Sequence, residues 1–170
     1  MTGDDSPFDE VFLNPGEFHF GGGRTRLSTL LGSCVSITLW HPRRRIGGMC
    51  HYLLGERPRP ADAPLDGRYG TEAFALFLQH VQAEGTRPGE YQAKLFGGGN
   101  MLTGSSGENL DIGPRNVALA RRLLRAHHIP LVAEHVGGSG RRKLHFDLWS
   151  GDVWVAFPQG EAAQIRRSHG

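Results

Sequence analysis

Hydrophobic and polar positions change identity too quickly for a helix over the first third of the chain. Segments 11–20 (VFLNPGEFHF), 30–40 (LLGSCVSITLW) and 46–54 (IGGMCHYLL) are short, rich in β-branched and aromatic residues, and bounded by Gly, Pro and Asn, which is the composition of strands. Asn14-Pro15-Gly16 divides the first into strand, turn and strand, and His41-Pro42-Arg43-Arg44 reads as the turn between the other two. The period then changes. Ala73, Phe74, Phe77, Leu78 and Val81 recur at helical spacing and predict a helix over 69–82, ended by Gly85. A second helix is predicted from Pro114, in its first turn, to His127, with Val117, Leu119, Ala120, Leu123 and Leu124 as its apolar face. Strand patterns return at 92–96, 130–136, 143–149 and 153–157, the last two making a hairpin about Ser150-Gly151-Asp152. The tail beyond 158 reads as a short helix or a frayed end. Strands dominate and two helices are embedded among them, so the expectation is one α+β domain over 11–158, with a flexible segment 1–10 and a tail 159–170.

Composition narrows the classes of function. A chain of 170 residues buries a core without staples. Its 19 basic and 17 acidic residues leave a net charge of +2, well short of the basic excess that non-specific nucleic-acid binding requires. The clusters Arg43-Arg44-Arg45 and Arg141-Arg142-Lys143 read as solvated loops. No apolar run approaches about 18 residues, so no membrane insertion is expected. The polar, acidic start MTGDDSPFDE is unlike a secretory signal. Cys34 and Cys50 give no disulfide framework, and a cytoplasmic location with free thiols is expected. The nine histidines include no spacing typical of zinc ligands, so no metal or other cofactor is expected. Gly97-Gly98-Gly99-Asn100 lacks the Lys-Ser/Thr of a phosphate-binding loop. It reads either as a tight turn or as a rim loop whose neighbours Phe96 and Asn100 touch a substrate or partner.

Candidate chemistry concentrates in 30–54. If residues 41–44 form a four-residue loop, Trp40 pairs with Arg45 and Cys34 falls directly opposite His51, on one face of the hairpin. A loop one residue longer would put them on opposite faces. A thiol becomes a strong nucleophile when a nearby imidazole takes its proton, and that imidazole can return the proton to a leaving amine. Gly32 and Ser33 let the chain bend beside Cys34, freeing backbone N–H groups for an oxyanion. Cys50 points to the other face and reads as a core residue. Judged on these residues alone, the pair is as readily a structural cysteine beside a core histidine.

Five segments add a resemblance. LLGSCVSITLWHPRRRIGGMCHYLL (30–54), RYGTEAFALFL (68–78), KLFGGGNML (94–102), IGPRNVALA (112–120) and EHVGGSGRRKLHFDLWSGDV (134–153) are similar, in this order, to the chemoreceptor glutamine deamidase family, CheD. The resemblance implies a layered, mixed β-sandwich flanked by helices, like other cysteine-dependent protein deamidases. It implies a cysteine amidohydrolase (a protein-glutamine glutaminase) acting through a thioester on glutamine side chains, and in some members on glutamyl methyl esters. The substrates implied are the cytoplasmic helices of methyl-accepting chemotaxis receptors. The family's nucleophile matches Cys34 and its histidine matches His51. Its third member is a threonine upstream of Gly-Ser-Cys; the ungapped position here is Ser28, with Thr29 beside it. A chemotaxis phosphatase is a further partner the family suggests, and the rival reading is a non-catalytic adaptor that binds receptors or that phosphatase.

Overall fold

The computed structural model describes residues 7–101 and 111–157, and the backbone of 166–168. Its strands form two five-stranded mixed sheets. The first has the order β1-β3-β8-β9-β10, built from β1 (Asp9–Phe12), β3 (Thr25–Leu31), β8 (Arg142–Asp147), β9 (Val153–Ala156) and β10 (Arg166–Ser168). The second has the order β2-β5-β4-β6-β7, built from β2 (Phe18–Gly22), β5 (Ile46–Cys50), β4 (Val35–His41), β6 (Gln92–Gly97) and β7 (Leu131–Val136). Helices α1 (Gly70–Ala83) and α2 (Ile112–Ala126) pack on the second sheet. The molecule is thus the layered α+β arrangement expected.

Strand alternation sorts side chains into two cores. On β4, Val35, Ile37 and Leu39 face the helices and pack with Phe74, Phe77, Val117 and Leu124. The intervening residues face the other sheet, where Leu27, Leu31, Met49, Phe96, Leu144 and Phe146 form the inter-sheet core. Trp40 belongs to this layer and its indole N–H donates to the Leu148 carbonyl, 2.9 Å away.

Segment 30–40 is not one strand. The chain breaks at Gly32-Ser33, so that β3 lies in the first sheet and β4 in the second. Segment 11–20 likewise divides: β1 runs parallel to β3 in the first sheet, and β2 is antiparallel to β5 in the second. Residues 137–141 make a third passage, from β7 to β8. The alternating pattern is the same in either sheet, so it does not register a change of sheet. A fourth passage, Gly23-Arg24, leads from β2 to β3. The other three meet at one end of the sandwich, where Leu13 N–H bonds Ser28 O, Gly99 N–H bonds Gly32 O, and Gly137 N–H bonds Gly97 O.

The turn after β4 has four residues but starts one position later than expected. His41 is still a strand residue, paired with Ile46, and it accepts hydrogen bonds from Arg45 N–H at its carbonyl and from Arg44 N–H at Nδ1. The buried His41 ring closes the turn over residues 42–45. Each β4 residue therefore pairs two positions further along β5 than expected. Three other readings change. Arg142 is 1% exposed, not solvated. Part of the tail pairs with β9 as β10, while 158–165 and 169–170 lie outside the described residues. β1 begins at Asp9, inside the segment expected to be flexible, of which 1–6 lie outside the described residues.

Candidate active site

The site is assembled where the sheets exchange chain. On β3, Leu27, Thr29 and Leu31 point between the sheets and Ser28 points outward. Thr29 Oγ1 lies 2.7 Å from the Leu13 carbonyl and 2.7 Å from His51 Nδ1. A carbonyl only accepts, so the single hydroxyl proton is committed to Leu13 O. The hydroxyl oxygen must then accept from His51 Nδ1–H, which leaves the Nε2 lone pair unprotonated. The ring is buried, and its backbone carbonyl is anchored by Gly16 N–H at 2.7 Å. Burial pushes the His51 pKa down to about 4, against the opposing pull of the Leu13 carbonyl. The imidazole is neutral at neutral pH.

Cys34 stands at the lead into β4, half-buried, and packs against the inter-sheet core. Its successor Val35 and the successor of His51, Tyr52, exchange both backbone hydrogen bonds, at 3.1 and 3.0 Å. With this pairing Cys34 and His51 become diagonal neighbours, where direct opposition was expected. The shift of two positions keeps them on one face. Burial raises the Cys34 thiol above its usual value, against the smaller opposing effect of its own backbone N–H. The resting pair is therefore a protonated thiol and a neutral imidazole.

Behind Cys34 lies the glycine loop. Cys34 O accepts from Gly98 N–H at 2.8 Å and Gly32 O from Gly99 N–H at 2.9 Å. Gly97 has φ +102°, and a Cβ there would stand 2.2 Å from the Cys34 carbonyl oxygen. Arg142, opposite Leu31 in the ladder, donates from Nη1 to His135 O at 2.6 Å and from Nη2 to Gly137 O, tying β8 to β7 beside this loop.

The remaining candidates separate clearly. Ser28 does not reach His51. Its hydroxyl donates to Glu10 Oε2 at 2.7 Å and lies 2.7 Å from His145 Nδ1, on the outer face of the first sheet. Phe96 is 1% exposed within the inter-sheet core, so it offers no surface to a substrate or partner. Asn100 is exposed on the rim, where its N–H bonds Gly138 O. Cys50 faces the helices; Ile37 N–H donates to its sulfur and burial pushes its thiol up to about 12. Met101 directly follows the Gly97–Asn100 loop. Its side chain lies over Gly32, with Cγ, Sδ and Cε at 3.0, 3.2 and 3.4 Å from where a Cβ would be. Among the described residues no cluster of three or more His, Cys, Asp or Glu could hold a metal ion, and no helix is long and apolar enough to cross a membrane.

The fold and site define a two-sheet α+β protein carrying a cysteine, a histidine and a threonine where its sheets meet. The family model described as CheD chemotactic sensory transduction matches residues 53–157. A relative in Dechloromonas aromatica, named probable chemoreceptor glutamine deamidase CheD 3, is 75% identical over 170 residues, all of both chains. One in Pseudomonas savastanoi, named probable chemoreceptor glutamine deamidase CheD, is 48% identical over 91% of this chain and 88% of its own. One in Leptospira interrogans, named probable chemoreceptor glutamine deamidase CheD 1, is 38% identical over 88% of this chain and 93% of its own. The chain belongs to the CheD family. The family-model match begins two residues after His51, whereas the matches to these relatives span both Cys34 and His51.

Proposed function

We propose that this protein deamidates glutamine side chains on the cytoplasmic helices of methyl-accepting chemotaxis receptors, with Cys34 as nucleophile, His51 as general base and Thr29 as the residue that orients His51. The observation that carries this reading is the Leu13–Thr29–His51 chain of hydrogen bonds. It fixes the imidazole in the tautomer a base requires, with the Nε2 lone pair ready to accept. Family membership supports the substrate class.

The chemistry follows from the resting protonation states. A thiol raised by burial and an imidazole held near pKa 4 do not form a standing ion pair. The proton moves from Sγ to Nε2 as sulfur attacks the carboxamide carbon. Backbone N–H groups around Gly32, Ser33 and Cys34 hold the oxyanion. When the C–N bond breaks, Nε2–H protonates the departing amine and ammonia leaves. Water then gives a proton to Nε2 and its oxygen attacks the thioester. The C–S bond breaks, the sulfur regains its proton, and glutamate remains on the receptor. A glutamyl methyl ester passes through the same steps with methanol as the leaving group.

The test is mass spectrometry of a receptor cytoplasmic fragment after incubation with the protein. Each converted glutamine gains about one mass unit, and Cys34→Ala abolishes the gain. Turnover by the Cys34→Ala variant would overturn the mechanism. Binding of the fragment by wild-type protein without conversion would identify an adaptor instead.

A further inference from the structure

We propose that Met101 is a specificity-determining substrate contact: the apolar wall on which the receptor segment packs as its glutamine reaches Cys34. This rests on the deamidase reading above. Met101 is 39% exposed, unlike Phe96 near the end of β6, which is 1% exposed. Its three outermost side-chain atoms lie along the Gly32 backbone, all within 3.4 Å of a Cβ position there. Glycine at 32 is what lets the thioether lie flat on the chain leading to the nucleophile. The loop that carries Met101 is fixed to that same chain, Gly98 to the Cys34 carbonyl and Gly99 to the Gly32 carbonyl.

Spacing identifies what Met101 meets. Gly32 is two residues from Cys34, a separation of at most about 7 Å between Cα atoms. One turn of an α-helix advances about 5.4 Å. A receptor helix that runs along this stretch of chain while presenting its glutamine to Cys34 would set the side chain three or four positions away over Met101. The partner chemistry this wall fits is an apolar side chain at that position, Leu, Val, Ala or Met. Methionine is unbranched and polarizable, so it adapts to several such shapes. One enzyme can then accept glutamines in different local sequences.

The experiment compares wild type, Met101→Gln and Met101→Leu in three measurements. These are turnover of a receptor cytoplasmic fragment, its affinity for each protein in the Cys34→Ala background, and the rate of Cys34 alkylation by iodoacetamide. Loss of one buried apolar contact corresponds to about a tenfold change in affinity. We expect Met101→Gln to raise KM and Kd by about tenfold, the loss falling on KM rather than kcat, and Met101→Leu to restore most of it. Alkylation should proceed at the wild-type rate in both, since the small reagent needs no wall. Equal KM and Kd in wild type and Met101→Gln would overturn the proposal. So would a Met101→Leu variant as impaired as Met101→Gln, or a parallel loss of alkylation, which would mark a structural role. A wild-type protein that binds without turnover refutes the deamidase reading, and Kd then still tests the contact; one that neither binds nor converts the fragment refutes both.

Discussion

Ser28 and Thr29 are adjacent hydroxyls with opposite fates. Thr29 lies between Leu13 O and His51 Nδ1 inside the sandwich, and Ser28 lies between Glu10 and His145 outside it. Counting back from Gly-Ser-Cys selects Ser28, and only the knowledge of which face of β3 is covered selects Thr29. The two sites predict different phenotypes. Thr29→Val removes the acceptor for the buried Nδ1–H and frees the ring to turn, so kcat on a receptor fragment should fall by about a hundredfold, while Thr29→Ser should stay within a few-fold. Ser28→Ala should cost about 1 kcal/mol in chemical denaturation with kcat little altered. A Ser28→Ala variant as inactive as Thr29→Val would show that the outer cluster is the one that matters.

At the scale of elements, the pieces around Cys34 are held by backbone approach that leaves no room for side chains. The Gly97–Asn100 loop is the clearest case, read from sequence only as a tight turn or a rim. Its hydrogen bonds to the Gly32 and Cys34 carbonyls place it directly behind the bend between β3 and β4. Gly97→Ala would meet both a left-handed φ and the Cys34 carbonyl at 2.2 Å. It should destabilise the protein by roughly 2 kcal/mol or more, lowering Tm by several degrees, and slow iodoacetamide alkylation because the Cys34 peptide must shift. Unchanged alkylation at a lowered Tm would separate the loop from Cys34. The hairpin register carries a similar lesson. A four-residue turn is legible in HPRRRI, but where it starts depends on the buried His41 ring accepting from Arg44 N–H. That is a tertiary fact, because burial of the ring is set by Tyr91, packed edge-on against it at 5.1 Å.

For the whole molecule, the site makes stability depend on pH. The His51 pKa is about 6.5 in the unfolded chain and about 4 in the folded protein. The unfolded state therefore binds more protons between these values. The stability associated with the neutral ring is complete above pH 6.5, declines as the pH falls, and is lost by about pH 4, a change of roughly 3 kcal/mol. His19 and His145, also held below their usual value by burial, act in the same direction. The informative quantity is thus the difference between wild type and His51→Gln. Urea denaturation from pH 7 to pH 4 should show a shallower loss in the variant, and parallel curves would contradict the buried neutral imidazole.

What the sequence determines by itself is local and periodic: two helices, most of the strands, the 17-residue separation of Cys34 and His51, and the ordered motifs of the CheD family. These follow from side-chain alternation, helical spacing and turn chemistry, all carried by neighbours in the chain. What only the tertiary structure decides is which sheet each strand joins, and hence that β3 and β4 part at Gly32. It also decides which hydroxyl meets His51, how Arg142 comes to be buried, and that Met101 rather than Phe96 reaches the surface, over Gly32. Alternation assigns a side chain to one of two faces, but what covers each face is decided by strands and loops distant in sequence.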